Sequence, residues 1–197
     1  MTDNRTLYER NVQDRSTLKY YIGLFVRWKQ HLKYARAVRI ARKNGATIGE
    51  GVIMPLSFAK KCNANVIIGS HTSIATDKID TRCPIHIGSH VIIGSYSDII
   101  TASHNVDSPE WDYKTYGITI CDYVWIAQSV IILPSCRVIG QGAVIGTGSV
   151  VVKDIAEMSI VSGNPANVIR QRKCVHDKLI VESLLGGDYS IYKQTRK

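Results

Sequence analysis

The feature that most constrains the fold of this chain is an aliphatic residue that returns every six positions, usually with glycine behind it. The clearest run begins at Ile139-Gly140, continues at Ile145-Gly146 and ends at Val151. The same series includes Ile48, Ile68, Ile74, Ile87, Ile93, Ile99, Ile120, Ile126 and Ile132. A fixed short period of this kind indicates a repeat architecture that covers most of the chain.

A six-residue period fits neither an amphipathic helix nor an alternating strand. It predicts a chain wound as a triangular prism, in which each hexad forms one flat side and turns one corner. The aliphatic residue points inward, and a second inward position four residues later is small or branched. This second set comprises Val52, Thr72, Val91, Ser97, Val124, Val130, Cys136, Ala143 and Ser149. Each side would pair in parallel with the same side of the next coil, so that stability is a sum over neighbouring coils.

The repeats resemble those of the hexapeptide-repeat acyltransferases, in particular the polysaccharide and sugar O-acetyltransferases of the colanic-acid and O-antigen type. The resemblance covers roughly residues 46–170 and implies an all-β solenoid, a left-handed parallel β-helix. The left hand comes from the resemblance alone, because crossovers between parallel strands are generally right-handed. We therefore expect a basic helical arm at 1–46, the β-helix at 47–170 with an excursion loop at 101–118, and a C-terminal tail with a short helix at 171–197.

The N-terminal arm holds almost all of the net charge. Residues 1–47 carry eleven Lys or Arg and three Asp or Glu, while the rest of the chain carries fourteen and thirteen. Ser16 and Gly45 are suitable start and stop signals for a helix over 16–43. This helix combines cations with aromatic residues, which is typical of a helix at an anionic membrane surface. The plainer alternative is a cap that covers the open end of the prism, and the sequence leaves both open.

Composition excludes several other classes of protein. The sequence has no run of eighteen apolar residues, and its N-terminus is polar, so we expect neither a membrane-spanning helix nor a signal peptide. This predicts a cytoplasmic protein, with a peripheral contact at the inner face of the membrane if the arm binds lipid. Five cysteines without a close pair argue against a disulfide framework and against a thiolate zinc site. No nucleic-acid partner is expected.

His104 is the candidate catalytic residue. It lies at the start of the segment that interrupts the hexads, and loops on a rigid scaffold commonly carry catalytic groups. An imidazole can act as a base at neutral pH. Ser103-His104-Asn105 also matches the tripeptide that holds the catalytic histidine in the family that the chain resembles. The alternative is a solvated loop histidine.

The segment from Gly163 to Arg170 resembles the motif that closes the β-helix in this family and lines the site for acetyl-CoA. The resemblance implies coenzyme contacts from a set of five residues: Gln128, Thr147, Lys153, Asn167 and Arg170. Asn167 replaces the usual basic residue, which weakens a direct phosphate contact at that position. The alternative is that Pro165 only ends the coil and that the cations form a solvated face.

Acceptor and metal sites are less strongly indicated. Trp111, with Tyr113 and Tyr116, could stack on a sugar ring or only anchor its own loop. Asp80 could bind an acceptor hydroxyl or serve as an ordinary corner residue. Three histidines in the repeats, His71, His86 and His90, resemble a zinc set in outline, but their spacing favours solvated corner residues, and we predict no catalytic metal.

These observations predict an acetyl-CoA-dependent O-acetyltransferase that acts on a saccharide hydroxyl by direct transfer. The resemblance implies a homotrimer with its sites between neighbouring prisms. Two alternatives remain: an N-acyltransferase of an amino sugar nucleotide, and a non-catalytic repeat scaffold or membrane-docking module.

Overall fold

Within the part of the chain that the structure describes, three sheets of mainly parallel strands are built from short strands between residues 47 and 171. The structure is a computed structural model that describes residues 5–196, so residues 1–4 of the predicted arm and residue 197 of the predicted tail lie outside it. The first sheet contains β1 (Thr47–Ile48), β2 (Val66–Ile68), β4 (Ile85–Ile87), β9 (Ile118–Ile120) and β12 (Val138–Ile139). The second contains β3 (Ser73–Ile74), β5 (Ile92–Ile93), β10 (Trp125–Ile126), β13 (Val144–Ile145) and β15 (Ser159–Ser162), with β16 (Asn167–Gln171) antiparallel at its edge. The third contains β6 (Asp98–Ile99), β11 (Ile131–Ile132) and β14 (Val150–Val151).

The chain visits the three sheets in rotation. It runs from β4 to β5 to β6, and later from β9 to β10 to β11 and from β12 to β13 to β14. Each strand pairs in parallel with the equivalent strand of the next coil, as Ile126 does with Ile93 and Ile145. The predicted parallel pairing between coils is confirmed.

The core lies inside the coils and follows the hexad pattern. Ile126, Ile132, Ile139 and Ile145 are fully buried, and the second inward positions are buried with them. Buried hydroxyl groups at these positions are hydrogen-bonded, since Ser97 Oγ donates to the carbonyl oxygen of Ala127 at 2.8 Å. The coils approach closely at the glycines: a Cβ atom on Gly94 would lie 2.7 Å from the carbonyl group of Ala127. Aliphatic residues and glycine at fixed spacing therefore explain the stack.

Among residues 5–196, four α-helices and one 3₁₀ helix lie outside the sheets. They are α1 (Leu7–Gln13), α2 (Thr17–Lys43), α3 (Leu56–Lys61), the 3₁₀ helix Val181–Leu185 and α4 (Tyr189–Gln194). The predicted helix over 16–43 is present, and Ser16 Oγ accepts a hydrogen bond from the backbone N–H of Lys19. No helix among residues 5–196 is long and apolar enough to cross a membrane.

The sequence pattern missed several elements. It predicts one interruption of the repeats, but α3 is a second one and stands where the first coil would contribute to the third sheet. The helix expected near 177–185 is the shorter 3₁₀ helix Val181–Leu185, and α1 and α4 were not predicted. The expected loop at 101–118 contains a two-stranded hairpin of β7 (Ala102–His104) and β8 (Tyr113–Thr115). We refer to residues 102–115 as the excursion hairpin.

One face of α2 packs on the rest of the chain. Ala37 and Ala41 join the main core with Ile48 of the first coil and Phe58 of α3. Nearer its N-terminus, α2 packs on α4, where Gly23 leaves room for the ring of the buried Tyr192. The C-terminal half of α2 therefore covers part of the first coil.

Candidate active site

His104 lies on the excursion hairpin with one ring nitrogen engaged. Its Nδ1 lies 2.8 Å from the carbonyl oxygen of Trp111. A carbonyl oxygen only accepts, so Nδ1 carries the proton and donates, which leaves Nε2 with a free lone pair. The backbone of the hairpin thus holds the imidazole in the tautomer that a general base requires.

Two aromatic rings fix the orientation of His104. The Trp111 ring stacks on the imidazole, with 5.2 Å between centroids and 18° between planes. The Tyr113 ring meets the imidazole nearly at right angles, with centroids 4.9 Å apart. Tyr113 is also directly opposite His104 in the pairing of β7 with β8. Trp111 remains 56% exposed, so its outer face is accessible to a second molecule.

The ion pair of Asp80 with Arg82 connects the coils to the Tyr113 ring of the hairpin. Asp80 accepts hydrogen bonds from Arg82 Nε at 2.7 Å and Nη2 at 2.8 Å, and from the backbone N–H of Thr101 at 3.3 Å. Arg82 Nη1 donates to the Tyr113 hydroxyl group. Burial alone would raise the pKa of Asp80, but the hydrogen bonds from Arg82 and Thr101 outweigh it and lower the pKa to about 2.

A second arginine holds the end of the excursion. Arg137 Nε donates to the carbonyl oxygen of Gly117 at 3.2 Å, and Nη2 donates to that of Tyr116. The guanidinium carbon lies 5.4 Å from the centroid of the Tyr116 ring. The excursion is therefore fastened to the coils at its start by the bond from Thr101 to Asp80, and towards its end by Arg82 and Arg137.

A cavity of about 590 Å³ lies on the outer side of the second sheet. Gln128 and Thr147, both predicted coenzyme contacts, line it. The other lining residues come from neighbouring coils and from the C-terminal segment: Ile92, Gly94, Trp125, Ala127, Arg172, His176, Leu179 and Leu184. Sequence analysis missed Trp125, His176, Leu179 and Leu184. The position of Trp125, directly before the inward-facing Ile126, was an available signal that its side chain points outward.

The C-terminal segment is held over this cavity by a defined set of hydrogen bonds. His176 Nε2 donates to the carbonyl oxygen of His90 at 2.8 Å, so Nδ1 is the acceptor for Arg172 Nη2 at 2.9 Å. Arg172 Nη1 donates to the carbonyl oxygen of Gly142 at 2.9 Å. Burial lowers the pKa of His176, and the nearby Arg172 adds to this. A neutral imidazole thus ties this segment to the coils.

The remaining predicted site residues lie apart from the cavity lining. Asn167 and Arg170 are exposed on β16, where the Asn167 amide donates to the carbonyl oxygen of Pro165 at 3.0 Å. Lys153 is exposed just after β14. Asp80 has both carboxylate oxygens engaged by Arg82 and Thr101, and its role in acceptor binding stays a prediction.

The histidines that outline a zinc set have other partners. His71 and His90 stack at 5.2 Å in one corner column, and His90 stacks in turn on Tyr123 at 4.9 Å. His71 Nδ1 also contacts the buried Glu182 at 2.6 Å. His86 is exposed on β4. Within residues 5–196, no group of three or more His, Cys, Asp or Glu residues has a geometry that could hold a metal ion.

Comparison with known proteins identifies the class. The chain is 30% identical over 146 residues to the colanic acid biosynthesis acetyltransferase WcaF of Escherichia coli, a match that covers 74% of this chain and 80% of the relative. It is 32% identical over 143 residues to the galactoside O-acetyltransferase of Lactococcus lactis, covering 68% and 67%. No protein-family model matches the sequence. The chain belongs to the hexapeptide-repeat acetyltransferases, and it is therefore an acetyltransferase.

A solved structure supports the same assignment. A hexapeptide-repeat acetyltransferase from Vibrio cholerae, crystallised with acetyl-CoA, superimposes with a TM-score of 0.62 at 28% sequence identity. The superposition covers 88% of this chain and 94% of that one. The predicted family resemblance is confirmed.

Proposed function

We propose that this enzyme transfers an acetyl group from acetyl-CoA to a saccharide hydroxyl group, with His104 as the general base. The single observation that carries the proposal is the bond from His104 Nδ1 to the carbonyl oxygen of Trp111, because it leaves Nε2 unprotonated. We also propose that the coils wind with the left hand that the family resemblance implies.

His104 would act twice in one transfer. Nε2 takes the proton of the acceptor hydroxyl group as its oxygen attacks the thioester carbonyl carbon. As the carbon–sulfur bond breaks, the imidazolium returns this proton to the departing thiolate, so that the products are the acetyl ester and the free thiol of coenzyme A. The imidazole ends the cycle neutral, and no acyl-enzyme is required.

The cavity on the second sheet suits the donor substrate. Its aliphatic and aromatic lining can accommodate a flexible acyl-carrying arm, and the side chains of Gln128 and Thr147 can hydrogen-bond its amide groups. Lys153 and Arg170, both exposed nearer the end of the coils, would contact the phosphates, since cations are charge-assisted donors to phosphate oxygens. Asn167 could add only a neutral hydrogen bond.

We further propose that the active enzyme is a homotrimer with its sites between neighbouring prisms. Within one chain, the excursion hairpin leaves between the third and first sheets, whereas Gln128 and Thr147 follow strands of the second sheet. One whole side of the prism therefore separates His104 from the cavity. A neighbouring copy could bring its cavity to this histidine.

Trp111 is our candidate for the acceptor platform, because its exposed ring lies against the proposed base. Aromatic faces pack against the apolar side of sugar rings, which would place a hydroxyl group near Nε2. We infer that the enzyme works in the cytoplasm, where acetyl-CoA is made.

The test is a screen of acetyl-CoA consumption with free, nucleotide-linked and lipid-linked saccharides as acceptors. His104→Ala should fold normally and lower kcat by about 10²–10⁴. His86→Ala, which removes an exposed histidine of β4, is the matched control and should retain wild-type turnover. Full turnover by His104→Ala would reject the assignment of the base. If only acceptors with a free amino group were acetylated, the proposed O-acetylation would be rejected in favour of N-acetylation.

A further inference from the structure

The outward face of α2 carries a continuous row of exposed apolar side chains. They recur at helical spacing over the first half of the helix and are between 43% and 72% exposed. The row consists of Leu18, Tyr21, Ile22, Phe25, Val26 and Trp28. Three of the six are aromatic, so the exposed apolar surface is large for one helix.

The same face becomes cationic in the second half of the helix. Successive turns place exposed basic residues there, namely Lys29, Lys33, Arg36, Arg39 and Lys43. Where the two halves meet, Lys29 Nζ lies 4.4 Å from the centroid of the Phe25 ring. The sequence of α2 contains eight Lys or Arg and no Asp or Glu. The outward face therefore combines apolar and positive surface with no negative charge.

This face is not used to cover the coils. The opposite face of α2 makes those contacts, through Ala37 and Ala41 on the core and through Tyr20 and Gly23 on α4. Arg27, also on the inner side, pairs with the buried Asp188 at 2.9 Å. The inner face of α2 covers the first coil, and the outward face stays available for a partner. The same helix can therefore serve both purposes.

We propose that the outward face of α2 docks on an anionic lipid bilayer. Apolar side chains would enter the interface at the N-terminal half while the cations of the C-terminal half contact the headgroups. A parallel contact of two α2 helices would instead bring cations against cations, and an antiparallel contact would bring the cations of each helix against the apolar row of the other. The rest of the chain has no net negative charge to attract these cations, because residues 48–197 carry thirteen Asp or Glu against fourteen Lys or Arg. Charge complementarity therefore favours anionic lipid over a second copy of this chain.

This proposal goes beyond acetyl transfer and does not depend on it. It states where the enzyme works, namely at a membrane surface, with the α2 side of the molecule facing the bilayer. Each Lys or Arg that reaches an anionic surface strengthens binding by roughly fivefold, so that a few of the five outward cations suffice for reversible docking.

The experiment is flotation of the full chain with vesicles of phosphatidylcholine and phosphatidylglycerol, in parallel with vesicles of phosphatidylcholine alone. The wild-type protein should float with the anionic vesicles at about 50 mM salt and detach at about 500 mM, because screening weakens the contact. It should not float with the neutral vesicles. Failure to float with anionic vesicles at low salt overturns the proposal.

Two variants test the two halves of the face separately. Ile22→Glu/Phe25→Glu and Arg36→Gln/Arg39→Gln should each reduce the bound fraction at least tenfold, while thermal melts show that the fold is retained. The control Ile67→Glu adds one negative charge at an exposed position of β2, away from this face, and should bind as the wild type does. Wild-type flotation by both double variants overturns the proposal. So does a change of oligomeric state in Ile22→Glu/Phe25→Glu, measured by sedimentation, since the face would then contact a second copy.

Discussion

Trp111 contacts His104 in two ways at once: its carbonyl oxygen accepts the Nδ1 proton at 2.8 Å, and its ring stacks on the imidazole at 5.2 Å. The backbone contact selects the tautomer, while the side chain limits the orientation of the ring and keeps an exposed face, on which we propose that the acceptor binds. Mutation can separate the two contributions, because the carbonyl group remains whatever the side chain.

Trp111→Ala should therefore reduce activity without abolishing it. Loss of one aromatic contact of roughly 1 kcal/mol corresponds to about a fivefold fall in kcat, and the KM for the acceptor should rise. The KM for acetyl-CoA should not change, and the pH–rate profile should keep its midpoint. Val106→Ala, at another exposed position of the same hairpin, is the control. A profile displaced along the pH axis would mean that the side chain, and not the carbonyl group, sets the state of His104.

Tyr113→Phe should show whether Arg82 positions the base. The substitution removes the hydroxyl group that accepts from Arg82 and keeps the ring edge on His104. We expect kcat to fall about two- to tenfold, the usual range for one lost hydrogen bond, with an unchanged KM for acetyl-CoA. Arg82→Ala should cost more, since it also leaves the Asp80 carboxylate without its ion pair. If both variants have wild-type activity, the contacts among Asp80, Arg82 and Tyr113 do not position His104.

His176 should make the attachment of the C-terminal segment sensitive to pH. Its folded-state pKa lies below the ordinary value of 6.5, so the unfolded chain takes up the proton first as the pH falls. Its contribution to stability is therefore complete above about pH 6.5 and declines below that value. His176→Gln can keep both hydrogen bonds without titrating. Thermal melts should show a steeper loss of stability from neutral to mildly acidic pH in the wild type than in this variant, and parallel curves would disprove the assignment.

Arg170 and Lys153 should discriminate coenzyme A from its dephosphorylated analogue. Replacing either with alanine should raise the KM for acetyl-CoA by about ten- to hundredfold, as expected for one charge-assisted hydrogen bond. The KM for the acceptor should stay constant. Lys60→Ala, which removes an exposed cation of α3, controls for the change in net charge. If both substrates are affected alike, these cations belong to a solvated face.

The sequence predicted the coils well because the residues of each hexad specify its local conformation. An inward isoleucine, a small second residue and a glycine at the close approach specify a side and a corner locally, as Ile93, Ser97 and Gly94 do. Helix α3 escaped notice because six residues are too few for a helical period. Its Leu56 and Phe58 read equally well as strand residues.

The site was only half predictable for a related reason. Ser103-His104-Asn105 pointed to the proposed base directly, since the motif is contiguous. The wall of the cavity depends on a contact between His176 and His90, which are 86 positions apart. Nothing in either local sequence specifies that pairing, which arises only when the C-terminal segment folds back over the coils. Leu179 and Leu184 were accordingly missed.

The place where the excursion hairpin leaves the coils has a consequence for how such an enzyme can change. Strand β6 ends at Ile99 and β9 begins at Ile118, yet β9 enters the first sheet between β4 and β12 as if the two hexads were adjacent. The stack thus keeps its register across the segment between them. We expect residues 101–117 to be exchangeable, so that a new hairpin inserted there could alter which hydroxyl group reaches the proposed base while the proposed donor cavity and the core stay as they are.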